Sequence, residues 1–220
     1  MSGGGGLHYD HYPAPKGDEV MMRIGAAGAP PILFVPPLFE ELNRTRALLA
    51  AVMRGLAGRG FACHLPDLPG TNESAVPLER CRWEDWRAAV RAAAAALERP
   101  AMVAVRGGAL LDDAAEAFCF YRFASAEGAS LARDLARSGL VSAGGSAGYP
   151  LDDALSAALR EAKLQPVAPL RVARLASDLA EADARLEGPA LWRRSEPGTS
   201  SELAELLASD ISEWVVQCGG

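Results

Sequence analysis

Histidine is scarce in this chain of 220 residues and absent from most of its length. The three histidines are His8, His11 and His64, and none follows residue 64. Catalysis by a serine hydroxyl needs an imidazole that accepts the hydroxyl proton and later returns it to the leaving group. The sequence therefore excludes a histidine base at any position after residue 64.

Clustered metal ligands are lacking as well. The four cysteines, Cys63, Cys81, Cys119 and Cys218, are far apart and form no C-x-x-C pair. A structural zinc site needs Cys and His ligands at close spacing, whereas free cysteines are most often small buried apolar residues. We expect no metal ion and no cofactor.

The chain also lacks long apolar runs and an excess of positive charge. No stretch approaches the roughly 18 apolar residues of a membrane span, and residues 1–6 lack the basic and apolar regions of a signal peptide. The formal net charge of −6 disfavours a nucleic acid or an anionic membrane as partner. We expect a cytoplasmic protein with no membrane span and no nucleic-acid partner. Its partner is a small-molecule or glycan-linked ligand, or another protein.

What the sequence does contain is a regular alternation of apolar strands and amphipathic helices. The run at residues 32–35 is typical of a strand buried on both faces, and Asn43 is expected to cap the helix that follows. This rhythm predicts an α/β fold with a doubly wound, mostly parallel sheet. The predicted strands are residues 32–35, 61–65, 101–105, 121–126, 170–175 and 189–193, and the predicted helices are residues 43–58, 83–97, 109–120, 130–138, 151–163 and 200–216.

The length fits one well-buried domain. We assign residues 31–220 to that domain. Residues 1–30 are rich in Gly, Pro and Ala. We expect them to be loosely structured, with a short hairpin at most around residues 19–24.

The junction at residues 104–108, Ala-Val-Arg-Gly-Gly, has the spacing of a nucleophile elbow. Such an elbow is a sharp strand-to-helix turn, and it needs small residues two positions either side of its centre. Arg106 occupies the centre, and a guanidinium stays protonated and cannot act as a nucleophile. It can bind an anion, helped by the backbone N–H groups around Gly107. The alternative is an ordinary turn whose Arg106 points to solvent or into a local ion pair.

Three carboxylates are candidate partners of Arg106, because an arginine in a partly dry cleft is tolerated when it is paired. Glu40 and Glu41 lie in the loop after the first predicted strand, and Glu127 follows the strand after the elbow. The alternative for Glu40 and Glu41 is the ordinary preference of acidic residues for a helix N-terminus. Trp192 is a candidate wall of a ligand cleft.

Several segments together resemble the α/β-hydrolase superfamily. Residues 67–74, DLPGTNES, are similar to its D-x-x-G-x-G-x-S loop, with Asn72 in place of the second glycine. Residues 36–46, PPLFEELNRTR, with the elbow and residues 148–151 and 192–198, resemble the hydrolase-like proteins associated with exosortase A systems in exopolysaccharide-producing Gram-negative bacteria. In that group the loop reads P-P-F-x-E-E-x-N-x-x-R, and arginine tends to stand where the serine is expected, as Arg106 does here. The similarity extends from about residue 32 to residue 216.

The resemblance implies an α/β-hydrolase-like fold with a minimal cap. It places Leu38 and Gly107 at the backbone positions of an oxyanion hole and residues 195–196 in place of the histidine loop. The triad of this fold follows the chain order nucleophile, acid, histidine, which cannot be built here around Arg106. Ser142 and Ser146, in a loop of small residues, are expected to be solvated rather than catalytic.

These observations predict a degenerate member of the superfamily that binds an anionic or carbohydrate-linked ligand, or a partner, in the former active-site cleft. Arg106 would anchor the ligand, Glu40 and Glu41 would orient Arg106, and Asn43 would add a polar contact. One alternative is an ester or thioester hydrolase that uses an unconventional nucleophile or a carboxylate-activated water. A second alternative is a scaffold protein that uses the fold as an interaction surface.

Overall fold

The computed structural model describes residues 6–137 and 151–219. Its strands belong to one eight-stranded sheet in the order β1-β2-β4-β3-β5-β6-β7-β8. The strands β3 to β8 run parallel to one another, and β2 is antiparallel to both β1 and β4. The strands are β1 (Leu7–Ala14), β2 (Gly17–Ile24), β3 (Pro31–Val35), β4 (Ala62–Pro66), β5 (Ala101–Val105), β6 (Cys119–Phe123), β7 (Leu170–Leu175) and β8 (Ala184–Leu186).

Helices cover both faces of this sheet. They are α1 (Glu40–Gly58), α2 (Trp83–Ala95), α3 (Gly128–Arg137), α4 (Asp153–Glu161) and α5 (Ser201–Gln217). The apolar residues of α1 and α5 pack in one core cluster, and those of α2, α3 and α4 pack in the other. The predicted doubly wound, mostly parallel sheet is confirmed.

Strand β3 shows why a continuous apolar run suits the middle of such a sheet. Successive side chains of a strand point to opposite faces. Ile32 and Phe34 accordingly join the cluster under α1 and α5, while Leu33 and Val35 join the cluster on the other face. All four are buried, so the run needs no polar alternation.

The N-terminal segment is more ordered than its composition predicted. The expectation of a loose structure is wrong for residues 7–16, whereas the short hairpin expected around residues 19–24 lies within a longer hairpin. Strands β1 and β2 form a hairpin whose last pair is Ala14 with Gly17. The hairpin joins the sheet because β2 pairs with β4. Tyr12 adds a side-chain anchor, since it is buried and its hydroxyl donates to the Asp67 carbonyl at 2.6 Å.

The predicted helix at residues 109–120 is also wrong. Two short 3-10 turns, Arg106–Leu110 and Asp112–Ala114, lead into β6 instead. The cause is a buried ion pair, in which the carboxylate of Asp112 accepts from Nε and Nη2 of Arg122, each at 2.7 Å. Asp112 is fully buried, and a regular helix does not supply this contact.

Two further boundaries differ from the prediction. Helix α1 begins at Glu40, so Asn43 lies inside the first turns and does not cap the helix. Its amide donates to the carboxylate of Glu40 at 3.2 Å. The predicted strand at residues 189–193 is a 3-10 turn at Leu191–Arg193, and the last strand is the short β8. Pro189 has no N–H to donate to a sheet ladder.

Candidate functional site

The backbone after β5 forms a sharp elbow centred on Arg106. Arg106 has a φ of 53°, a left-handed conformation that is uncommon for residues other than glycine. Two residues later the chain passes so close to β3 that a Cβ on Gly108 would lie 2.4 Å from the carbonyl oxygen of Val35. Only glycine fits there. It lets the turn pack against the start of the loop that follows β3, which we call the early loop. The sequence spacing predicted this turn.

The Arg106 side chain is held on three sides. Its Nη2 donates to Oε1 of Glu41 at 2.9 Å, and its Nε lies 3.2 Å from Oε2 of the same carboxylate. Its Nη1 donates to the Ala124 carbonyl at 2.9 Å. The side chains of Arg106 and Glu41 are 11% and 13% exposed. Arg106 therefore pairs with a carboxylate and does not point to solvent.

Trp192 covers the same guanidinium. The Cζ atom of Arg106 lies 4.8 Å from the centre of the Trp192 ring, which is within cation–π range. Phe123 at the end of β6 packs edge-on against Trp192, with ring centroids 6.0 Å apart. The backbone carbonyl of Trp192 accepts from Nη1 of Arg44 at 3.0 Å. The elbow, α1 and the segment after β8 thus meet at one cluster.

Two buried donors in this cluster lack a hydrogen-bond partner among the described residues. They are Nε of Arg44 and Nε1 of Trp192. A buried N–H without an acceptor costs free energy. Arg44 and Trp192 also line the neighbouring cleft, so the cluster has donor capacity close to that cleft.

Glu41 is the carboxylate most affected by its surroundings. Burial raises the pKa of the Glu41 carboxyl, and the guanidinium groups of Arg106 and Arg44 offset part of that rise. Asp134 adds to it by like-charge repulsion. The charge of Glu41 thus depends on the two arginines beside it.

A cleft of about 670 Å³ opens beside this cluster, a size typical of small-molecule sites. Its wall combines apolar side chains from the early loop and α3 with charged groups of both signs. Arg106 lies behind Glu41 and Trp192 and is not part of the wall. The residues that line the cleft are Leu38, Phe39, Glu40, Glu41, Arg44, Ser130, Leu131, Asp134, Leu135, Arg137, Trp192 and Arg193.

The predicted site residues are only partly brought together. Leu38 and Gly107 are adjacent, since a Cβ on Gly107 would lie 3.1 Å from Cγ of Leu38. Asn43 is exposed and lies outside the cleft wall. Glu127 is also exposed and outside it, and its carboxylate accepts from the Leu164 N–H at 3.3 Å.

Four charged residues of the cleft, Arg44, Asp134, Arg137 and Arg193, were not predicted from the sequence. Arg44 lies three and four positions after the two glutamates of α1, a spacing that places side chains on one helix face. That spacing could have identified it. Asp134 on α3 and Arg193 after β8 reach the cleft through tertiary packing, and no local pattern indicates them.

The histidines and serines considered for catalysis do not complete a triad within the described chain. His64 is buried in β4, where desolvation and Arg23 lower its pKa to about 4. It is not part of the cleft wall. Asp178, which follows β7, pairs with Arg174 at 2.9 Å. Ser142 and Ser146 lie outside the described residues.

No group of three or more His, Cys, Asp or Glu side chains that could hold a metal ion occurs in residues 6–137 and 151–219. The helices in these ranges are also too short or too polar to cross a membrane.

Comparison with known proteins identifies structural neighbours but no sequence family. No protein-family model and no curated protein matches the chain. Similar solved structures include epoxide hydrolase VrEH1 from Vigna radiata, with 15% identity and a TM-score of 0.45 over 54% of this chain and 40% of that one. Epoxide hydrolase A from Mycobacterium thermoresistibile has 14% identity and a TM-score of 0.45 over 54% and 39%. Potato (Solanum tuberosum) epoxide hydrolase I has 18% identity and a TM-score of 0.45 over 54% and 40%.

The chain spans about 40% of the length of these enzymes. The activity that their names give belongs to those enzymes. The parallel sheet with helices on both faces and the left-handed elbow after β5 show that this chain has an α/β-hydrolase-like fold.

Proposed function

We propose that this protein binds an anionic or carbohydrate-linked small molecule in the cleft and forms no covalent intermediate with it. The observation that carries the proposal is the ion pair between Arg106 and Glu41 at the elbow. Arg106 occupies the position of a nucleophile and cannot attack a substrate, and Glu41 neutralises its charge. In this proposal the elbow holds the residues of a ligand-binding surface in place and takes no part in a reaction.

The charge left in the cleft favours a polar ligand with a negative group. Glu41 is balanced by Arg106, and Asp134 pairs with Arg137 at 2.9 Å. Arg44 and Arg193 also lie on the wall and form no salt bridge with a carboxylate of the described residues. Guanidinium groups bind carboxylates and phosphates well, and mixed donors and acceptors also suit sugar hydroxyls.

Arg106 has an indirect role in this proposal. Its guanidinium fixes the positions of Glu41 and Trp192, and these two face the ligand. Direct contact with the anion is assigned to Arg44 and Arg193, because both line the cleft and neither forms a salt bridge within the described part of the chain. Arg106 is therefore a positioning residue.

The early loop supports membership of the exosortase A-associated group. The motif residues make contacts with one another and with the elbow: Glu41 holds Arg106, Asn43 donates to Glu40, and Arg46 donates to Asn72 at 2.9 Å. The motif thus behaves as one structural unit. The proposal predicts that the gene lies beside an exosortase gene in its genome, and an unrelated gene context would contradict this part.

Isothermal titration with D-glucuronate, D-glucose and inorganic phosphate tests the binding proposal. We expect glucuronate, which combines a sugar ring with a carboxylate, to bind more tightly than glucose. Arg193→Ala should weaken glucuronate binding about tenfold, the effect of losing one charged hydrogen bond. Arg194→Ala is the matched control, since Arg194 is the exposed neighbour that does not line the cleft. Equal effects of the two substitutions, or no binding of any probe, would contradict the proposal.

A second candidate function rests on the raised pKa of Glu41. A carboxylate with a raised pKa is suited to activate a water molecule as general base. This candidate predicts turnover of p-nitrophenyl butyrate that follows a single ionisation and is lost in Glu41→Gln. The binding proposal predicts no turnover in either protein.

A further inference from the structure

A second cavity lies beside the cleft, on the other side of the early loop. It has a volume of about 240 Å³ and lies between residues 36–43 and residues 68–86. Leu38 and Phe39 line both this cavity and the cleft. We name it the side cavity; its apolar wall includes Pro36, Pro37, Leu42, Leu68, Leu78 and Trp86.

The side cavity differs from the cleft in its chemistry. Among the residues that the structure describes, no charged side chain lines it. Its polar side chains are already engaged elsewhere. The Thr71 hydroxyl donates to the Leu68 carbonyl at 2.7 Å, and the Asn72 amide donates to Asp67 at 2.7 Å. The indole N–H of Trp86 donates to the Pro69 carbonyl at 2.8 Å. The wall therefore offers little to water or to an anion.

The size of the side cavity limits what it can hold. An apolar cavity of about 150 Å³ binds benzene in a protein interior. At about 240 Å³, the side cavity has room for a group of about six to ten carbon atoms. It is too small for a second sugar-sized polar ligand together with its hydration.

The wall between the cleft and the side cavity includes a residue with an unusual backbone conformation. Phe39 has a φ of 58° and a ψ of −138°, a conformation that favours glycine. Its ring packs edge-on against Trp86 at 5.6 Å. Such a conformation is strained and persists where surrounding structure holds it. The ring of Phe39 thereby closes the apolar side of the wall, while its neighbours Glu40 and Glu41 face the cleft.

We propose that the side cavity binds an unbranched apolar chain of about six to ten carbons, the tail of a ligand whose polar part lies in the cleft. The tail is the new element, and its link to a polar part rests on the function proposed above. The ligand class is then an amphiphile with an anionic or sugar head and a short acyl or alkyl tail. The shared residues Leu38 and Phe39 mark where head and tail join.

A series of neutral alcohols from hexan-1-ol to dodecan-1-ol tests the side cavity without engaging the charged cleft. Binding is followed by chemical-shift changes of the backbone amides around Leu42, Gly70 and Leu78 in the full chain. Each added methylene should tighten binding about fourfold until the cavity is full near ten carbons. Binding that is not saturable, or that keeps tightening beyond that length, would overturn the proposal.

Substitutions that reduce the cavity provide the control. Leu78→Trp fills it, and Asn43→Trp, at an exposed position of its rim, narrows its mouth. Each should weaken octan-1-ol binding at least tenfold. Leu206→Trp, on the exposed face of α5, adds the same indole elsewhere and should leave octan-1-ol binding unchanged. Unaltered binding in folded Asn43→Trp would overturn the proposal.

The proposal for the cleft and the proposal for the side cavity can be refuted separately. Loss of glucuronate binding with retained alcohol binding would refute the cleft ligand and leave the side cavity as an apolar site. Retained glucuronate binding with no alcohol binding would refute the tail alone. Octyl glucuronide, which carries both groups, should bind more tightly than glucuronate or octan-1-ol if head and tail occupy adjoining sites.

Discussion

Arg106 combines the backbone conformation of an elbow with a charged side chain. It adopts the left-handed φ of an elbow, yet it carries a permanent positive charge. Glu41 compensates this charge inside the protein, and Trp192 shields it. A buried pair of this kind contributes little net free energy while it is intact, but removal of one partner leaves the other uncompensated.

Arg106→Ala should therefore lower the free energy of unfolding by about 3 kcal/mol near pH 8. The folded-state pKa of Glu41 lies above its ordinary value because of burial, and loss of Arg106 raises it further. At low pH the Glu41 carboxyl is protonated in the folded and in the unfolded protein. The loss of unfolding free energy in Arg106→Ala should therefore shrink as the pH falls towards 4. Urea unfolding at several pH values measures this.

The double substitution Arg106→Ala with Glu41→Gln is its control. Because the buried charge is gone, we expect the double variant to be more stable than Arg106→Ala alone at pH 8 and to show little additional dependence on pH. A deficit for Arg106→Ala that is the same at every pH would show that Glu41 does not ionise beside Arg106.

The cysteines give a second test at the residue scale. Cys63, Cys81 and Cys119 are buried, and Cys218 is partly exposed. Burial and the neighbouring thiol of Cys218 raise the pKa of Cys119 to about 12. Because the thiolate is the reactive form, iodoacetamide at pH 8 should modify Cys218 well before the other three. Mass mapping with a Cys218→Ser control checks this, and fast labelling of Cys119 would contradict the packing of α5 on β6.

At the scale of elements, the elbow depends on the close approach of its first turn to β3. A Cβ at Gly108 would lie 2.4 Å and 2.6 Å from two backbone carbonyl oxygens, and backbone cannot move aside cheaply. Gly108→Ala should destabilise the fold by about 3 kcal/mol or more. Gly58→Ala, at the end of α1 with no atom within 4 Å of the new Cβ, should be neutral or stabilising by up to about 1 kcal/mol. Chemical denaturation of both variants compares them, and equal stabilities would contradict the elbow geometry.

Elements with a strong apolar pattern were predictable from the sequence. The strand at residues 170–175 has the predicted limits, and α5 begins and ends within one residue of the prediction. The helix predicted at residues 109–120 failed because Asp112 is drawn into the core by Arg122, a partner ten residues away on another element. Strand β8 was missed because its three residues carry almost no pattern and depend on pairing with β7.

The site was predictable to a similar degree. The spacing around Arg106 indicated the elbow, and Glu41 was identified as a candidate partner. The sequence could not distinguish Glu41 from Glu40 or Glu127, because the choice depends on which carboxylate the fold brings within 3 Å of the guanidinium. Arg193 and Asp134 come from distant elements, and only the folded chain shows that they share a cleft.

At the scale of the whole molecule, the protein combines a mostly parallel sheet with a cleft that we propose binds a ligand. The sheet positions the loops after β3, β5 and β6 at one edge, as open α/β sheets do for their ligand sites. The cleft wall carries charged groups of both signs, two of them the arginines Arg44 and Arg193, and the side cavity adds an apolar compartment. Our proposal is that this arrangement binds a small molecule without supplying a nucleophile.

The most direct test of the central claim is intact-mass analysis of the folded protein after incubation with a fluorophosphonate, a reagent that labels activated serines. Our account predicts an unchanged mass, because Arg106 occupies the elbow and no histidine follows it in the chain. A stoichiometric adduct that is absent from the urea-unfolded protein would contradict it, and peptide mapping would then locate the nucleophile.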